Sequence, residues 1–98
     1  MYGAIRLESD SMRPVVSIVM ATVNASYANP VTPDELARRI VDPESARTHD
    51  CAAFAFFSDV APHLQRGFIE QMGVDPEKAR LVAGAYSIKA GYKLALAA

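Results

Sequence analysis

Cysteine is almost absent from this 98-residue sequence, which contains Cys51 alone. A single cysteine excludes an intrachain disulfide framework of the kind that stabilises small secreted domains, and it favours the reducing cytoplasm as the compartment. Long apolar runs are missing as well. The run at residues 15–21 is interrupted by Ser17, is too short to cross a bilayer, and is followed by no A-x-A cleavage site. We therefore expect neither a membrane span nor a signal peptide.

An excess of one charge is also lacking. Ten Lys and Arg residues stand against eleven Asp and Glu residues, which gives a formal net charge of −1. Proteins dedicated to nucleic acids or to membrane surfaces carry a marked basic excess. The balance therefore argues against nucleic acid and membrane as partners.

Motifs of catalysis and ligand binding are absent: the sequence has no P-loop, dinucleotide-binding, C-x-x-C, H-E-x-x-H or EF-hand pattern. Only His49, Asp50, Cys51 and His63 are worth assembling into a site. His49 and Cys51 are two residues apart, so on a helix they point in different directions and cannot share a metal ion. Cys51 and His63 would suit a thiolate nucleophile or half of a metal site only if folding or a second subunit brought them together. The favoured interpretation makes Cys51 a buried core residue and both histidines surface residues, with no catalytic residue, metal ligand or cofactor assigned.

Helix start signals are present three times. Thr32-Pro33-Asp34-Glu35 matches the capping box, with a proline at the first helical position. The same order of cap, proline and acid recurs at Asp42-Pro43-Glu44 and at Asp75-Pro76-Glu77. Acids are favoured at the positive end of the helix dipole, so capping explains them and general acid–base chemistry is not needed.

The fold class that these signals predict is all-α: a compact bundle of four or five short helices in one domain covering residues 1–98. Residues 12–28 are rich in Val and Ile, which leaves a strand as the alternative. Their length and their i, i+4, i+7 spacing favour a helix, capped by Asp10 or Ser11. Weak alternation over residues 1–10 predicts a flexible or strand-like arm.

Residues 51–73 form the stretch on which we expect the other helices to pack. They contain all four phenylalanines and an apolar stripe at helical spacing, made of Phe54, Phe57, Ala61, Leu64, Phe68 and Met72. Pro62 inside one continuous helix would cost about 3 kcal/mol. The stretch is therefore predicted as two helical pieces, with Asp59 capping the second and Gly73 ending it in the left-handed conformation.

The last helix, from residue 76 to about 97, has two distinct faces in the sequence. One is a predicted core-facing stripe of Leu81, Ala85, Ile88, Tyr92 and Leu96. The other carries small residues every four positions, which let a second helix approach closely. We predict that this second face and its flank form an interface made of Tyr86, Ala83, Ser87, Gly91, Ala95, Lys89 and Lys93.

The sequence supports three hypotheses about function. A 51% hydrophobic composition in so small a body leaves apolar surface to cover, so we expect a non-catalytic homo-oligomer that binds another protein as a regulator, adaptor or inhibitor. The second is a DNA-binding regulator, because two segments resemble a helix-turn-helix. The third is a small oligomeric enzyme or cofactor carrier with a site near Cys51 and His63. The two segments that resemble a helix-turn-helix are as follows. Residues 32–54 carry Arg47, Thr48 and His49 on the second helix, and residues 68–86 have Gly73 at the turn and Lys78 and Arg80 beyond it.

Overall fold

Six α-helices make up the fold in the computed structural model, which describes residues 3–26 and 29–90 and the side chains of residues 14–26 and 29–87. No strand occurs in these ranges, so the predicted all-α class is confirmed. These ranges contain six helices rather than the predicted four or five, because a five-residue segment forms a helix of its own and the central stretch is split into two helices. They are α1 (Gly3–Ser26), α2 (Pro33–Arg39), α3 (Pro43–Arg47), α4 (Cys51–Asp59), α5 (Pro62–Met72) and α6 (Pro76–Ala90).

The helix starts follow the local chemistry of the sequence. Thr32 and Glu35 form the predicted capping box: the Thr32 hydroxyl accepts from the Glu35 N–H at 3.2 Å, and the Glu35 carboxylate accepts from the Thr32 N–H at 3.1 Å. Asp42 caps α3, and an Asp75 carboxylate oxygen lies 2.9 Å from the Glu77 N–H at the start of α6. Each cap provides a partner for a backbone donor that the first helical turn leaves unpaired.

The first helix is longer than predicted. It extends back to Gly3 and continues through Pro14, so Asp10 and Ser11 lie inside it and do not cap it, and the strand-like interpretation of residues 3–10 is wrong. Alternation over so few residues is weak evidence against a helix. Pro14 lies inside α1, where a proline removes one backbone hydrogen bond and its ring crowds the carbonyl four residues earlier. Residues 27–28, at the end of the predicted helix, lie outside the described residues.

The central stretch, residues 51–73, is divided into two helices as predicted, but Asp59 does not cap the second one. Asp59 ends α4, Val60 is extended, and Ala61 precedes α5 without a side-chain cap. The Asp59 carboxylate instead accepts a hydrogen bond from the Ser26 hydroxyl at the end of α1, at 2.8 Å. Buried Gln65 holds the break: its Nε2 donates to the carbonyls of Phe57 and Val60 at 3.2 and 2.9 Å. Because these carbonyls close α4, one side chain of α5 satisfies the end of the preceding helix.

The core forms around the phenylalanines of α4 and α5. Phe56, Phe57 and Phe68 are fully buried, and the ring centroid of Phe56 lies 5.2 Å from that of Phe57 and 5.3 Å from that of Phe68. Phe56 was not in the predicted stripe, because α4 is covered on several sides and one helical stripe does not describe it. The stripe's other members Phe54, Ala61, Leu64 and Met72 are only partly buried.

The other helices pack on this centre, as predicted. α1 lies against both α4 and α5, α2 contacts the same two helices, and α6 packs on α3 and α4. Gly73 ends α5 with φ +68°, the left-handed conformation that glycine adopts without strain. None of the helices in the described ranges combines the length and apolar character needed to cross a membrane.

Candidate functional site

The inner face of α6 is the side that holds this helix to its own chain. Ala79, Val82, Ala83 and Tyr86 are buried there, with α3 and α4 as the helices that α6 contacts. The predicted interface falls largely on this face. Ala83 and Tyr86 are only 0% and 2% exposed, so their assignment to an intermolecular surface is wrong.

The small-residue row of α6 does allow close helix approach, but to this chain's own helices. Ser87 of that row is partly buried and has interactions of its own. The remaining predicted members are Gly91, Lys93 and Ala95, which lie outside the described residues, and Lys89, whose side chain is not described.

The outer face of α6 carries two of the residues that were predicted to face the core, Leu81 and Ala85. Of the other three, the side chain of Ile88 is not described, and Tyr92 and Leu96 lie outside the described residues. Leu81 is 60% exposed, and Ala85 is also exposed. The sequence places apolar residues on both sides of this helix, and hydrophobic spacing does not say which side turns inward. On the inner face Val82 and Tyr86 are buried, whereas Leu81 is left outside.

A groove of about 310 Å³ runs beside Leu81. It separates α6 from the connection between α2 and α3, and its lining is mostly apolar. Its lining residues are Val41, Pro43, Lys78, Leu81, Val82 and Ala85. We call the groove together with Leu81, Gly84 and Ala85 the outer surface of α6. Sequence analysis missed the contribution of Val41 and Pro43, because only the fold brings them to α6.

Tyr86 fixes the inner face of α6 to the α3–α4 connection. Its hydroxyl lies 2.9 Å from the Ser45 carbonyl and 2.8 Å from the Asp50 carbonyl, and its proton is donated between the two. Burial, reinforced by the nearby Asp50 carboxylate, raises the pKa of Tyr86 above its usual value. This arrangement uses the phenol to satisfy buried carbonyls, which is a structural role.

Asp50 organises the same connection. Its carboxylate accepts from the backbone N–H groups of Ala52 and Ala53 at 3.0 and 3.1 Å and pairs with the Arg39 guanidinium at 3.1 Å. Asp50 is therefore committed to capping α4 and to an ion pair, and its carboxylate does not serve as a base for Cys51 or His49.

Cys51 and His63 do not form a site together. Cys51 is exposed, so its prediction as a core residue is wrong: it is the first residue of α4, and its sulfur contacts the His49 carbonyl at 3.7 Å. His63 is exposed in the first turn of α5, beyond the nine-residue α4, which is about 13 Å long. Within the described ranges, no three His, Cys, Asp or Glu side chains are grouped to hold a metal ion.

The first helix-turn-helix candidate lacks a usable second helix. α3 has only five residues, two of which, Ser45 and Ala46, are buried. Thr48 ends α3, Arg47 is hydrogen-bonded to Glu44, and His49 lies beyond the helix with φ +59°. A recognition helix needs an exposed face whose early side chains reach base edges, and α3 does not provide one.

The second candidate has the layout but not the charge. α5, the turn at Gly73 and α6 border a cleft of about 1000 Å³. The charged residues that line it are two arginines, Arg66 and Arg80, and three acids, Glu70, Asp75 and Glu77. Arg80 is hydrogen-bonded to Glu77 within α6. Phosphate groups would meet a net negative lining, so the cleft is unsuited to grip a nucleic-acid backbone.

Comparisons of the chain with protein-family models, with curated proteins and with solved structures gave no match.

Proposed function

We propose that this protein is a non-catalytic, homo-oligomeric helical protein that acts by binding protein through the outer surface of α6. A regulator, adaptor or inhibitor works in this way, by occupying a surface of its target. The proposed function is the one expected from the sequence, and the proposed binding surface is the opposite face of α6 from the one predicted.

Leu81 is the observation that carries the proposal. It is 60% exposed on a helix whose other large apolar side chains in the described range, Val82 and Tyr86, are buried, and it borders an apolar groove. Complete burial of a leucine side chain is worth about 1.5–3 kcal/mol. An apolar centre of this kind with a charged edge, here Lys78, is the usual composition of a protein interface.

The distribution of the reactive side chains supports binding rather than catalysis. Cys51 contacts a backbone carbonyl at the start of α4, while His63 lies in the cleft beside α5. Tyr86 and Asp50 are both engaged in holding the α3–α4 connection.

The test is a comparison of three versions of the chain: wild type, Leu81→Glu, and the matched control Ile18→Glu. Ile18 is 48% exposed on α1, so it offers a second exposed apolar side chain away from the groove. Each version is used to capture proteins from the native host, and a captured protein is then purified and titrated by calorimetry. We expect wild type and Ile18→Glu to bind the same protein saturably and Leu81→Glu to lose at least about tenfold in affinity, or about 1.4 kcal/mol.

A second copy of this chain counts as a captured protein in that experiment. Equal binding by Leu81→Glu and wild type would show that the surface is elsewhere. Circular dichroism of the three versions establishes that each is folded, which separates a lost surface from a lost fold.

A further inference from the structure

We infer that one water molecule is bound inside the joint at which α4 ends and α5 begins, residues 59–62, where it connects the backbone N–H of Val60 to the side-chain oxygen of Gln65. Both residues are buried, and neither of these two polar atoms has a hydrogen-bond partner among the described residues. The inference concerns the interior of the fold and is independent of the proposed function.

The oxygen Oε1 of Gln65 is the acceptor of the pair. Gln65 is fully buried, and this oxygen receives no hydrogen bond from the described part of the chain. Rotation of the amide would not help, because Nε2 already uses both of its protons, on the carbonyls of Phe57 and Val60 at 3.2 and 2.9 Å. A rotated amide would turn its oxygen against these two carbonyls. The orientation of the side chain is therefore fixed, and Oε1 needs a donor.

The backbone N–H of Val60 is the donor of the pair. Val60 is 4% exposed and extended, with φ −88° and ψ 133°, directly after the last helical residue of α4. In a continuous helix its N–H would bond to the carbonyl of Phe56. Instead it donates neither to a backbone carbonyl nor to a side chain of the described residues. A buried donor without a partner costs stability, as an acceptor does.

A contact that the fold already makes brings these two groups together. Gln65 Nε2 lies 2.9 Å from the carbonyl oxygen of Val60, the residue whose N–H lacks a partner. Oε1 is bonded to the same carbon atom as Nε2. The donor and the acceptor are thus on neighbouring groups, at a separation that one bridging molecule can span.

Water is the ligand that this combination of atoms selects. The N–H of Val60 would repel a cation, and the oxygens of Gln65, Phe57 and Val60 would repel an anion. A water molecule accepts from the N–H and donates one proton to Oε1. Its second proton can go to the carbonyl of Phe57 or of Val60, each of which keeps a lone pair after its bond from Nε2. About three hydrogen bonds are typical of a buried water.

The water explains how α4 can end and α5 begin within two residues. The break releases the N–H of Val60 from the helix, and Ala61, the residue before α5, provides no side-chain cap. Gln65 supplies donors to the carbonyls at the end of α4 but has none to spare for its own oxygen. One molecule that both donates and accepts satisfies what the amide leaves unpaired.

Nuclear Overhauser spectroscopy between water and the amide protons of the full chain tests the site. We expect the N–H of Val60 to show a cross-peak with water whose sign is that of a long-lived bound molecule. A crystal structure that shows ordered waters should place one within hydrogen-bond distance of both Val60 N and Gln65 Oε1. Absence of the cross-peak in the wild type would overturn the inference, and so would a crystal structure in which another side chain of the protein donates to Oε1.

Ser58→Ala is the first control, because a hydroxyl that exchanges its proton with solvent can imitate a bound water. The Ser58 hydroxyl lies beside the joint and donates to the Asp59 carboxylate at 3.1 Å. The cross-peak at Val60 should persist in Ser58→Ala. Its loss in that variant would assign the signal to the hydroxyl and overturn the inference.

Gln65→Met tests the acceptor, with Gln71→Met as the matched control, since Gln71 is an exposed glutamine on the same helix. Methionine is unbranched and adaptable in a core but has no amide oxygen. We expect the cross-peak at Val60 to be lost in Gln65→Met and kept in Gln71→Met. A folded Gln65→Met protein that keeps the cross-peak would overturn the role of Gln65. The spectra of wild type and Ser58→Ala decide the question even where Gln65→Met does not fold.

Discussion

At the scale of single residues, Tyr86 shows how much of this fold depends on one hydroxyl group. Its ring lies among aromatic neighbours, with centroid distances of 5.6 Å to Phe54 and 6.1 Å to Phe57. Its oxygen reaches the backbone carbonyl of Ser45, within α3, and that of Asp50, which caps α4. A phenylalanine would fill the same space, so the value of the tyrosine lies in the hydrogen bonds.

Tyr86→Phe should destabilise the protein by about 1 kcal/mol near neutral pH, because two carbonyls that each keep one backbone donor lose the hydroxyl as their second donor. The difference between the two proteins should depend on pH in the alkaline range. Burial raises the folded-state pKa of Tyr86 above the unfolded value of about 10. The neutral phenol therefore contributes fully below about pH 10, and its contribution is lost as pH rises above that value.

Urea denaturation of both proteins between neutral and strongly alkaline pH measures this effect. Lysines titrate in the same range in both proteins, so the difference between the two unfolding free energies is the informative quantity. A difference that stays constant through the alkaline range would contradict the assignment of the shift to Tyr86.

At the scale of elements, the close contact between α1 and α5 sets a limit on side-chain size. Val15 of α1 lies over Gly67 of α5, where there is no room for a methyl group. Gly84 of α6 is also helical, but a Cβ there would meet no atom of the described residues within 4 Å. The two glycines form a matched pair for measuring what the helix contact contributes.

Gly67→Ala should destabilise the protein by about 1–3 kcal/mol, since overpacking outweighs the gain in helix propensity. Gly84→Ala should stabilise the dilute protein by up to about 1 kcal/mol. Thermal or urea unfolding of both variants gives the comparison. Adding Val15→Ala should reduce the cost of Gly67→Ala, and strict additivity of the two substitutions would rule out a direct clash.

Elements whose boundaries depend on local chemistry could be predicted from the sequence. The start of α2 follows from Thr32 and Glu35, and the end of α5 follows from Gly73. The break before Pro62 was predicted for the right reason, although Asp59 closes α4 and does not cap α5. Asp59 was predicted as a cap because of its position in the sequence, but its hydrogen-bond partner, Ser26, lies at the end of α1.

Features that depend on tertiary packing could not be predicted in the same way. Leu81 and Val82 are adjacent in the sequence, both are apolar, and they lie on opposite sides of the boundary between surface and core. Cys51 opens an apolar segment but is exposed, because Asp50 caps α4 and leaves the first residue of the helix outside. The groove combines residues from two separate parts of the chain, so no local pattern contains it.

At the scale of the whole molecule, charge is distributed without a basic field. The formal net charge is −1, and the cleft with a helix-turn-helix layout is lined by acids as well as arginines. Nucleic-acid binding is dominated by neutralisation of phosphates and therefore requires a cationic surface. The architecture of α5 and α6 alone does not supply one.

The chain should bind neither duplex nor single-stranded DNA in a salt-sensitive way. Fluorescence polarisation with labelled oligonucleotides at low and at near-physiological salt measures this. A dissociation constant in the micromolar range at low salt that rises steeply with added salt would revive the DNA-binding hypothesis. Lys78→Glu and Arg80→Glu would then show whether α6 is the element responsible.

The bonds of Tyr86 also have a consequence for the order in which a newly made chain matures. Ser45 and Asp50 precede Tyr86 by 41 and 36 positions, respectively. Each carbonyl also accepts a backbone N–H, that of Ser45 from Asp50 and that of Asp50 from Phe54. Synthesis proceeds from the N-terminus at about 5–20 residues per second, so the bonds from the Tyr86 hydroxyl can form only several seconds after these local bonds. The hydroxyl reaches both carbonyls only after α6 has been synthesised and has packed on α3 and α4.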